Sequence, residues 1–295
     1  MSIYRTGGIL LIGILISTLA ILGVTHKSEA AETVKPLGWN WVCTTAGRDY
    51  VDPIVFPGVK PTGHLHDFMG VLVNENTTNA LKLRKLDNNC RFAHNSTEEG
   101  DQSAYWEPVP YNRNTGEAIK TVQVNNYYRV APGIKPSEVK TPPSGLRYVI
   151  GDPNAIGGQD HIKWRCTVSK TGQPTPVDCT EYNTNVKISY ILPSCSNGQK
   201  DSPDHKSHLV YPDKRTGCPA SHPREIPSLN MSFGIRIQDG RDVVFKGHHD
   251  EEIAPHADFF NGTTQEVWRH WIDTCIQDPR GGCFGTGIPG KRNPV

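Results

Sequence analysis

Residues 232–237 read Ser232-Phe233-Gly234-Ile235-Arg236-Ile237, so that apolar side chains alternate with small or charged ones. This period of two is typical of a strand that is buried on one face. The chain also holds 28 glycines and 23 prolines in 295 residues, a turn-rich composition that favours short strands over long helices. The sequence therefore predicts a mainly β fold: an antiparallel, sandwich-like core with long disulfide-stapled loops and one or two short helices.

Other parts of the sequence predict where the individual elements lie. Asp239-Gly240 lies between two strand-like runs and predicts a hairpin turn. Thr263 and Glu266 have the spacing of a helix capping box and predict a helix that ends near Cys275. Residues 95–123 are predicted to form a long loop. The predicted strands cover residues 70–73, 127–130, 146–150, 186–191, 208–211, 231–237 and 242–246.

The N-terminal 30 residues have the layout of a secretory signal peptide. Arg5 precedes an almost unbroken apolar run over residues 9–24, and small residues around Ala30 suit cleavage by a signal peptidase. The alternative is an uncleaved anchor that holds the protein at the membrane facing outward, although the run is short for a span of about 20 residues. We expect residues 31–295 to form a single domain that is secreted and has no membrane contact after cleavage.

All eight cysteines lie beyond the signal segment, and an even number in an exported chain predicts disulfides. No C-x-x-C pair occurs, which weakens the zinc-ribbon and thioredoxin-like alternatives. Pairing between neighbours along the chain is favoured because each short loop contains proline or glycine. The expected bridges are Cys166–Cys179, Cys195–Cys218 and Cys275–Cys283, which leaves Cys43 for Cys90.

Histidine and aspartate recur in short blocks along the chain. In an extended His64-Leu65-His66 segment the two imidazoles lie on one face, as do His256 and Asp258 in a later segment. If these blocks converge, His64, His66, His205 and His256 could hold a divalent ion, zinc or similar. We expect a ring nitrogen of His64 or His66 within about 7 Å of a polar side-chain atom of His205, His208, His256 or Asp258. The alternative is that these residues only stabilise loops by bonding to the backbone.

Residues 101–106, Asp-Gln-Ser-Ala-Tyr-Trp, combine an acid and an amide with two aromatic residues, a mixture found where sugar rings bind. The alternative is that Tyr105 and Trp106 are core residues. Paired carboxyl groups are the machinery of glycoside hydrolysis. The candidate acid/base groups are Asp67, Asp101, Asp204 and Asp258, and the candidate substrate-binding residues are Gln102, Tyr105, Trp106 and Asn261.

Several classes of protein lack support in the sequence. The net charge of +1 provides no basic surface for nucleic acid. The G-x-S-x-G, H-E-x-x-H, P-loop and dinucleotide-binding motifs are absent from the sequence.

The blocks, taken in order, resemble the exported domain-of-unknown-function family numbered nineteen-ninety-six, which occurs in fungi and actinobacteria and is often joined to WSC wall-binding modules. The resemblance implies an extracytoplasmic protein associated with cell walls or polysaccharide. This chain differs in having Glu107 after the Tyr-Trp pair and Ala257 where the family usually has glycine. The matching blocks are residues 64–68, 101–106, 193–195, 201–208, 218–227 and 256–262.

Three hypotheses about function follow. In the first, the chain is a glycan hydrolase whose His/Asp site holds a divalent metal. In the second, it is a non-catalytic module that binds cell-wall polysaccharide. In the third, the histidines alone serve to capture a metal ion.

Overall fold

The computed structural model describes residues 1, 36–92, 100–247, 249, 251–279 and 282–284. The expected signal segment, apart from Met1, lies outside these residues. Contacts divide the chain after Val34, and every described helix and strand belongs to the unit that follows. Within the described ranges, no helix combines the length and apolar character needed to cross a membrane.

Strands dominate the described residues and pair antiparallel throughout, as the sequence predicted. Two α-helices accompany them, α1 (Ala80–Leu83) and α2 (Gln265–Cys275), together with 3₁₀ turns at Pro136–Glu138 and Gly240–Asp242. The strands are β1 (Gly38–Asp49), β2 (His66–Met69), β3 (Arg91–Phe92), β4 (Ala104–Pro108), β5 (Pro110–Asn112), β6 (Thr121–Arg129), β7 (Arg147–Ile150), β8 (Ile162–Cys166), β9 (Val186–Ile191), β10 (Cys195–Ser196), β11 (Leu209–Val210), β12 (Arg224–Glu225), β13 (Ser228–Ile235), β14 (Val243–Lys246), β15 (Glu252–Ile253) and β16 (Ala257–Phe260).

Ten strands form one large sheet, in which β1 pairs with different strands along its length. Its order is β7-β16-β4-β2-β1-β6-β13-β9-β8, with β3 also paired to β1. The first part of β1 pairs with β6 and the last part with β2, and the register shifts between Thr45 and Gly47. Such a bulge bends a strand. Side chains from both halves of the sheet, such as Phe233 and Tyr105, meet in one buried cluster, which is the main core. Two three-stranded sheets, β11-β10-β12 and β15-β14-β5, complete the fold.

The half of the sheet that contains β2, β4 and β16 is covered on both faces. Successive side chains of a strand point to opposite faces. Tyr105 and Phe259 therefore face the main core, whereas Phe68, Trp106 and Phe260 belong to a second, smaller cluster. His66 is two residues from Phe68, and Asp258 is two residues from Phe260. Both polar residues therefore lie on the face of the sheet that carries the smaller cluster.

The four predicted disulfides are all present. As expected, each bridge joins two successive cysteines of the chain: Cys43–Cys90, Cys166–Cys179, Cys195–Cys218 and Cys275–Cys283. None of the eight cysteines is free. The longest sequence separation, 47 residues, belongs to Cys43–Cys90, which ties β1 to the segment that precedes β3.

The structure corrects several local predictions. Residues 70–73 are not a strand, because Gly70 adopts a positive φ of 81° directly after β2. Asp239-Gly240 does not close a hairpin, since β13 and β14 belong to different sheets. Thr264, not Thr263, caps α2 by accepting a hydrogen bond from the amide of Val267. The predicted loop 95–123 contains β4, β5 and the start of β6, while its residues 95–99 lie outside the described part.

Candidate metal centre

Three histidines from two distant segments converge beside β2 and β16. Nε2 of His64 lies 3.2 Å from Nε2 of His256, although the two residues are 192 positions apart. The rings of His64 and His66 have centroids 4.4 Å apart, and those of His64 and His256 are 5.0 Å apart. One nitrogen from each ring lies within 4.8 Å of the other two. The predicted convergence of the His64/His66 segment with the His256 segment is therefore confirmed.

Backbone carbonyl groups hold two of these rings in one orientation. Nδ1–H of His66 donates to the carbonyl oxygen of Val51 at 2.9 Å, and Nδ1–H of His256 donates to that of Ala254 at 3.2 Å. This arrangement leaves Nε2 of both rings with a lone pair. Nε2 of His66 is buried and has no hydrogen-bond partner among the described residues. Orientation of a ligand histidine by a bond from its other nitrogen is a general feature of metal sites.

Burial keeps all three imidazoles neutral. It lowers the pKa of His64 to about 4 and the pKa of His256 to about 3. For His66, burial, and then the repulsion it would meet from protonated His64 and His256, hold the pKa well below its usual range. Only a neutral imidazole has a lone pair to give a metal ion. Near neutral pH the three rings are therefore in the form that binds a cation.

Two carboxyl groups, Asp258 and Asp52, lie next to His66. Both oxygens of Asp258 are buried, and neither has a hydrogen-bond partner among the described residues. Burial, and then the charge of Asp52, raises the pKa of Asp258 well above its usual range. Burial also raises the pKa of Asp52, whose Oδ1 accepts hydrogen bonds from the amides of Ile54 and Val55 at 3.0 Å. A buried carboxyl group without partners is costly, and a cation would relieve that cost.

These residues form two overlapping sets that could hold a metal ion. One set is His64, His66 and His256, and the other is Asp52, His66 and Asp258. In each set the candidate ligand atoms lie within 4.8 Å of one another. Because Nδ1 of His66 is bonded to Val51, its single free nitrogen can serve only one ion. Three imidazoles are the ligands preferred by zinc and similar ions, whereas two carboxylates with one imidazole suit harder cations.

The block 201–208 lies near the centre but outside both sets. Nδ1 of His205 bonds to Asp201 at 2.8 Å, and His208 bonds to Ser202 and to the carbonyl oxygen of Arg147. Asp204 is exposed and accepts hydrogen bonds from Ser202 and Ser207, which lower its pKa. The block is thus held by bonds within itself and by bonds to Arg147 of β7. Neither His205 nor Asp204 belongs to the two ligand sets, and His205 lies close enough to Asp52 for its charge to act on that carboxyl group.

Asp67 points away from the three histidines. Its carboxylate forms a two-point ion pair with Arg48, with Nε–Oδ1 at 2.5 Å and Nη2–Oδ2 at 3.2 Å. Glu107 lies directly opposite Asp67 on the neighbouring strand β4. Burial raises the pKa of Glu107 well above its usual range. Tyr190 donates a hydrogen bond to Glu107 at 2.9 Å. Strand alternation therefore separates His66 from Asp67, which faces this second group of polar residues.

Two of the residues expected to bind sugar, Tyr105 and Trp106, are built into the interior. Tyr105 and Trp106 are fully buried, as the core alternative predicted, and neither presents a ring face to solvent. Tyr105 donates a hydrogen bond to Asp101 at 2.5 Å, and Asp101 also accepts from Thr263. Cys43, Cys90 and Asp101 lie close enough to hold an ion, but the two cysteines are joined in a disulfide.

The other two expected sugar-binding residues, Gln102 and Asn261, lie beside this network. The backbone amide of Gln102 bonds to Thr263 at 3.0 Å. Asn261 is buried and bonds to Thr263, Trp268 and the carbonyl oxygen of Pro143. The bonds of Asn261 support the chain around the start of α2.

Asp52 is the residue of the centre that the sequence did not single out. It lies 14 residues from His66 in a segment without regular structure, directly before Pro53. No periodic pattern marks it, and its side chain reaches the centre because the 51–54 segment packs against the smaller cluster through Val51 and Ile54. An aspartate within an apolar segment was the only available signal.

Comparison with known proteins identifies the family of the chain. A family model described as Domain of unknown function (DUF1996) matches residues 52–262, more than two thirds of the 295-residue chain. The matched range includes Asp52, His64, His66, His256 and Asp258. No curated protein and no solved structure matches the chain. Because the family model covers most of the chain, the protein belongs to the DUF1996 family.

Proposed function

We propose that the chain is a secreted, metal-dependent hydrolase that acts on cell-wall or extracellular polysaccharide. The observation that carries the proposal is the convergence of three neutral imidazoles beside Asp258, a buried carboxyl group without a partner among the described residues. Such a group of residues is costly to bury and serves no evident purpose in packing. It matches the ligand types of catalytic zinc sites, in which three protein groups hold the ion.

Each residue of the centre has a role in this proposal. His64, His66 and His256 would hold the ion, and Val51 and Ala254 orient two of the rings through their carbonyl groups. A divalent ion bound there supplies Lewis acidity for hydrolysis. Asp258 lies next to His66 with both oxygens available, so it would hold a proton and deliver it to the leaving group. Asp52 is fixed by two backbone amides and would orient Asp258 or the substrate.

Location outside the cytoplasm is supported by two features. Four disulfides within the described residues are typical of proteins from oxidising compartments. The first 30 residues have the composition of a signal peptide. A polysaccharide of the cell wall or its surroundings is the substrate class that fits this location.

A second candidate function is glycan binding without hydrolysis. It is favoured by the depth of the centre, since His66 and Asp258 are each only 1% exposed and His64 alone is half-buried. Closed, fully ligated metal sites are usually structural, whereas catalytic sites keep an open position. In this candidate the ion would stabilise the segments around the centre, and another surface would bind the glycan.

Release of reducing ends from a panel of polysaccharides distinguishes the two candidates. We expect the zinc-loaded protein to release reducing ends, and chelation or His66→Ala to abolish this release. Asp258→Asn should retain the ion and lower the rate by about 10²–10⁴-fold, the usual contribution of a general acid or base. His270→Ala, which alters an exposed histidine of α2, is the matched control and should behave as the unmodified protein.

Two results would contradict hydrolysis by this centre. Release that is insensitive to chelation would show that the ion is not needed. Binding of a glycan without any release of reducing ends would support the second candidate.

A further inference from the structure

One half of the large sheet has a polar face on the side away from the main core. In the adjacent strands β6, β13, β9 and β8, alternate side chains such as Val124, Phe233 and Tyr190 belong to the main core. The side chains between them point to the opposite side of the sheet. These outward side chains of the four strands form the polar face, and none of them belongs to either apolar cluster.

The polar face carries positive charge without any carboxylate of its own. Four of its side chains are cationic: Arg129, Lys163, Arg165 and Lys187. The four strands contain no aspartate or glutamate. Among the described residues, none of the four cations forms an ion pair. The charge of this face is therefore available to a ligand.

The cations of the polar face repel one another. Arg165 of β8 lies directly opposite Lys187 of β9. Like charges in this position destabilise a pair of strands. Burial, and then the charge of Arg165, lowers the pKa of Lys187. Burial also lowers the pKa of Arg129, and the charge of Arg165 adds to this effect. Arg165 therefore repels two other cations, and an anion bound among them would relieve that repulsion.

The middle of the polar face is ordered and retains unused hydrogen-bonding groups. Arg165 donates to the carbonyl oxygen of Ser169 at 2.9 Å and to the hydroxyl group of Ser232 at 3.3 Å. Nδ2 of Asn125 and Oδ1 of Asn230 are buried and have no hydrogen-bond partner among the described residues. Leaving such groups unpaired is costly. A ligand with hydroxyl groups could supply a partner for both amides.

An aromatic ring adjoins these groups. Tyr127 is partly exposed and pairs with Asn230 across β6 and β13. The guanidinium carbon of Arg129 lies over the Tyr127 ring, 4.9 Å from its centroid. Aromatic rings pack against the apolar faces of sugar rings, and amide groups bond sugar hydroxyls. Cations bind carboxylate or sulfate groups. The polar face thus combines groups suited to both parts of an acidic sugar.

We propose that the polar face binds a polysaccharide that carries anionic groups, carboxylate or sulfate. The four cations contact the anionic groups, while Tyr127, Asn125 and Asn230 contact sugar rings and hydroxyls. The inference goes beyond the proposed function and does not require hydrolysis, because the candidate metal centre lies beside β2 and β16 in the other half of the sheet. Binding at the polar face would hold the protein on an acidic polymer of its surroundings.

Binding of soluble polymers to the mature protein at low ionic strength tests the inference. Polygalacturonate carries carboxylates, dextran sulfate carries sulfates, and dextran is the neutral probe. We expect at least one anionic probe to bind more tightly than dextran, and added salt to weaken this binding. The double variant Lys163→Gln, Lys187→Gln should weaken it about tenfold. The matched control is Lys85→Gln with Lys214→Gln, which removes two charges from exposed lysines outside the polar face and should leave binding unchanged.

Urea unfolding of the double variant shows whether a loss of binding reflects unfolding. The side chains of Lys163 and Lys187 form no hydrogen bond among the described residues, and their replacement removes repulsion. The unfolding midpoint should therefore be unchanged or higher. A lower midpoint would show that the two lysines stabilise the fold and would overturn the inference.

Other results overturn the inference as well. These are equal binding of dextran, no binding of either anionic probe, or equal weakening by the control pair. Single-stranded nucleic acid also binds surfaces of cations and aromatic rings, so an oligonucleotide is a further probe. Tighter binding of the oligonucleotide than of both anionic polysaccharides would assign the polar face to nucleic acid instead.

The outcomes for this face and for the metal centre are independent. His66→Ala should bind the anionic probe as the unmodified protein does. If the protein releases reducing ends but the variant with Lys163 and Lys187 replaced binds normally, the polar-face inference is wrong and the hydrolase proposal stands. If no polysaccharide is cleaved but an anionic one binds and that variant loses the binding, the inference stands and hydrolysis is wrong.

Discussion

Replacement of Arg48 by methionine should destabilise the protein because it removes the partner of a buried carboxylate. Arg48 holds Asp67 through two hydrogen bonds and also donates to the carbonyl oxygen of Ile119 at 2.8 Å. Methionine keeps part of the apolar stem but cannot donate. Asp67 would then carry an unpaired charge opposite the buried Glu107.

The exposure of the two partners sets the size of the effect. Breaking a buried ion pair by removing one partner costs about 3–5 kcal/mol. The side chain of Asp67 is 1% exposed, but that of Arg48 is 34% exposed, so solvent screens part of the interaction. We therefore expect a loss of about 2–3 kcal/mol, which corresponds to roughly 4–12 °C in Tm for a domain of this size.

Urea unfolding followed by tryptophan fluorescence measures this loss. All six tryptophans are at most 3% exposed, so unfolding should change their emission strongly. Lys60→Met is the matched control, because Lys60 and Asp49 form an exposed pair whose loss should cost less than about 1 kcal/mol. Adding Asp67→Asn to Arg48→Met should restore part of the stability. A loss below about 1 kcal/mol for Arg48→Met would refute the reasoning, because so small a loss is typical of an ion pair exposed to solvent.

Three further predictions concern the fold and its buried polar groups. Thiol titration of the denatured, unreduced mature protein should find none of the eight cysteines free, and a free thiol would contradict the pairing. The double variant Cys43→Ala, Cys90→Ala should lose about 2–5 kcal/mol of stability in urea unfolding. The pKa of Glu107 is higher in the native protein than in the unfolded chain, so its contribution to stability falls as the pH rises above the unfolded pKa. Urea unfolding from pH 5 to 7 should show that the stability of Glu107→Gln increases relative to that of the unmodified protein by about 1.4 kcal/mol per pH unit while the native carboxyl stays protonated. Parallel pH profiles of the two proteins would contradict this. Asn261→Ala should lower the free energy of unfolding by about 2–4 kcal/mol because it removes three hydrogen bonds, and it should leave the zinc content per folded molecule unchanged. Normal stability with lost glycan binding would instead support the sequence-based role of Asn261 in binding sugar.

Much of the fold could be predicted from local patterns. Strand β9 matches the predicted residues 186–191, because a run of alternating residues between turns has few other stable arrangements. Disulfide pairing followed from short loop lengths. The position of β2 was missed, since His66-Asp67-Phe68-Met69 mixes polar and apolar residues that are all buried. That strand has different buried surroundings on its two faces, so simple alternation between core and solvent does not describe it.

Local patterns also predicted part of the candidate site. The two-residue spacing of His64 and His66, and of His256 and Asp258, suggested a shared face, although the strands themselves begin at His66 and Ala257. Asp52 depends on how an irregular segment packs, and no local pattern determines that packing. Tyr105 and Trp106 were ambiguous because an aromatic residue in a strand can face solvent or core, and here β4 is covered on both faces. His205 was grouped with the ligands by residue type, whereas its bond to Asp201 holds it in its own loop.

The zinc content of the purified mature protein tests the metal centre most directly. After loading with zinc and removal of the excess, elemental analysis should find one ion per folded chain in the unmodified protein and in His205→Gln. His66→Ala should retain none, because it removes the only residue common to both ligand sets. Circular dichroism should show that this variant is folded. A protein that holds no ion, or a folded His66→Ala variant that still holds one, would contradict a metal centre at His64, His66 and His256.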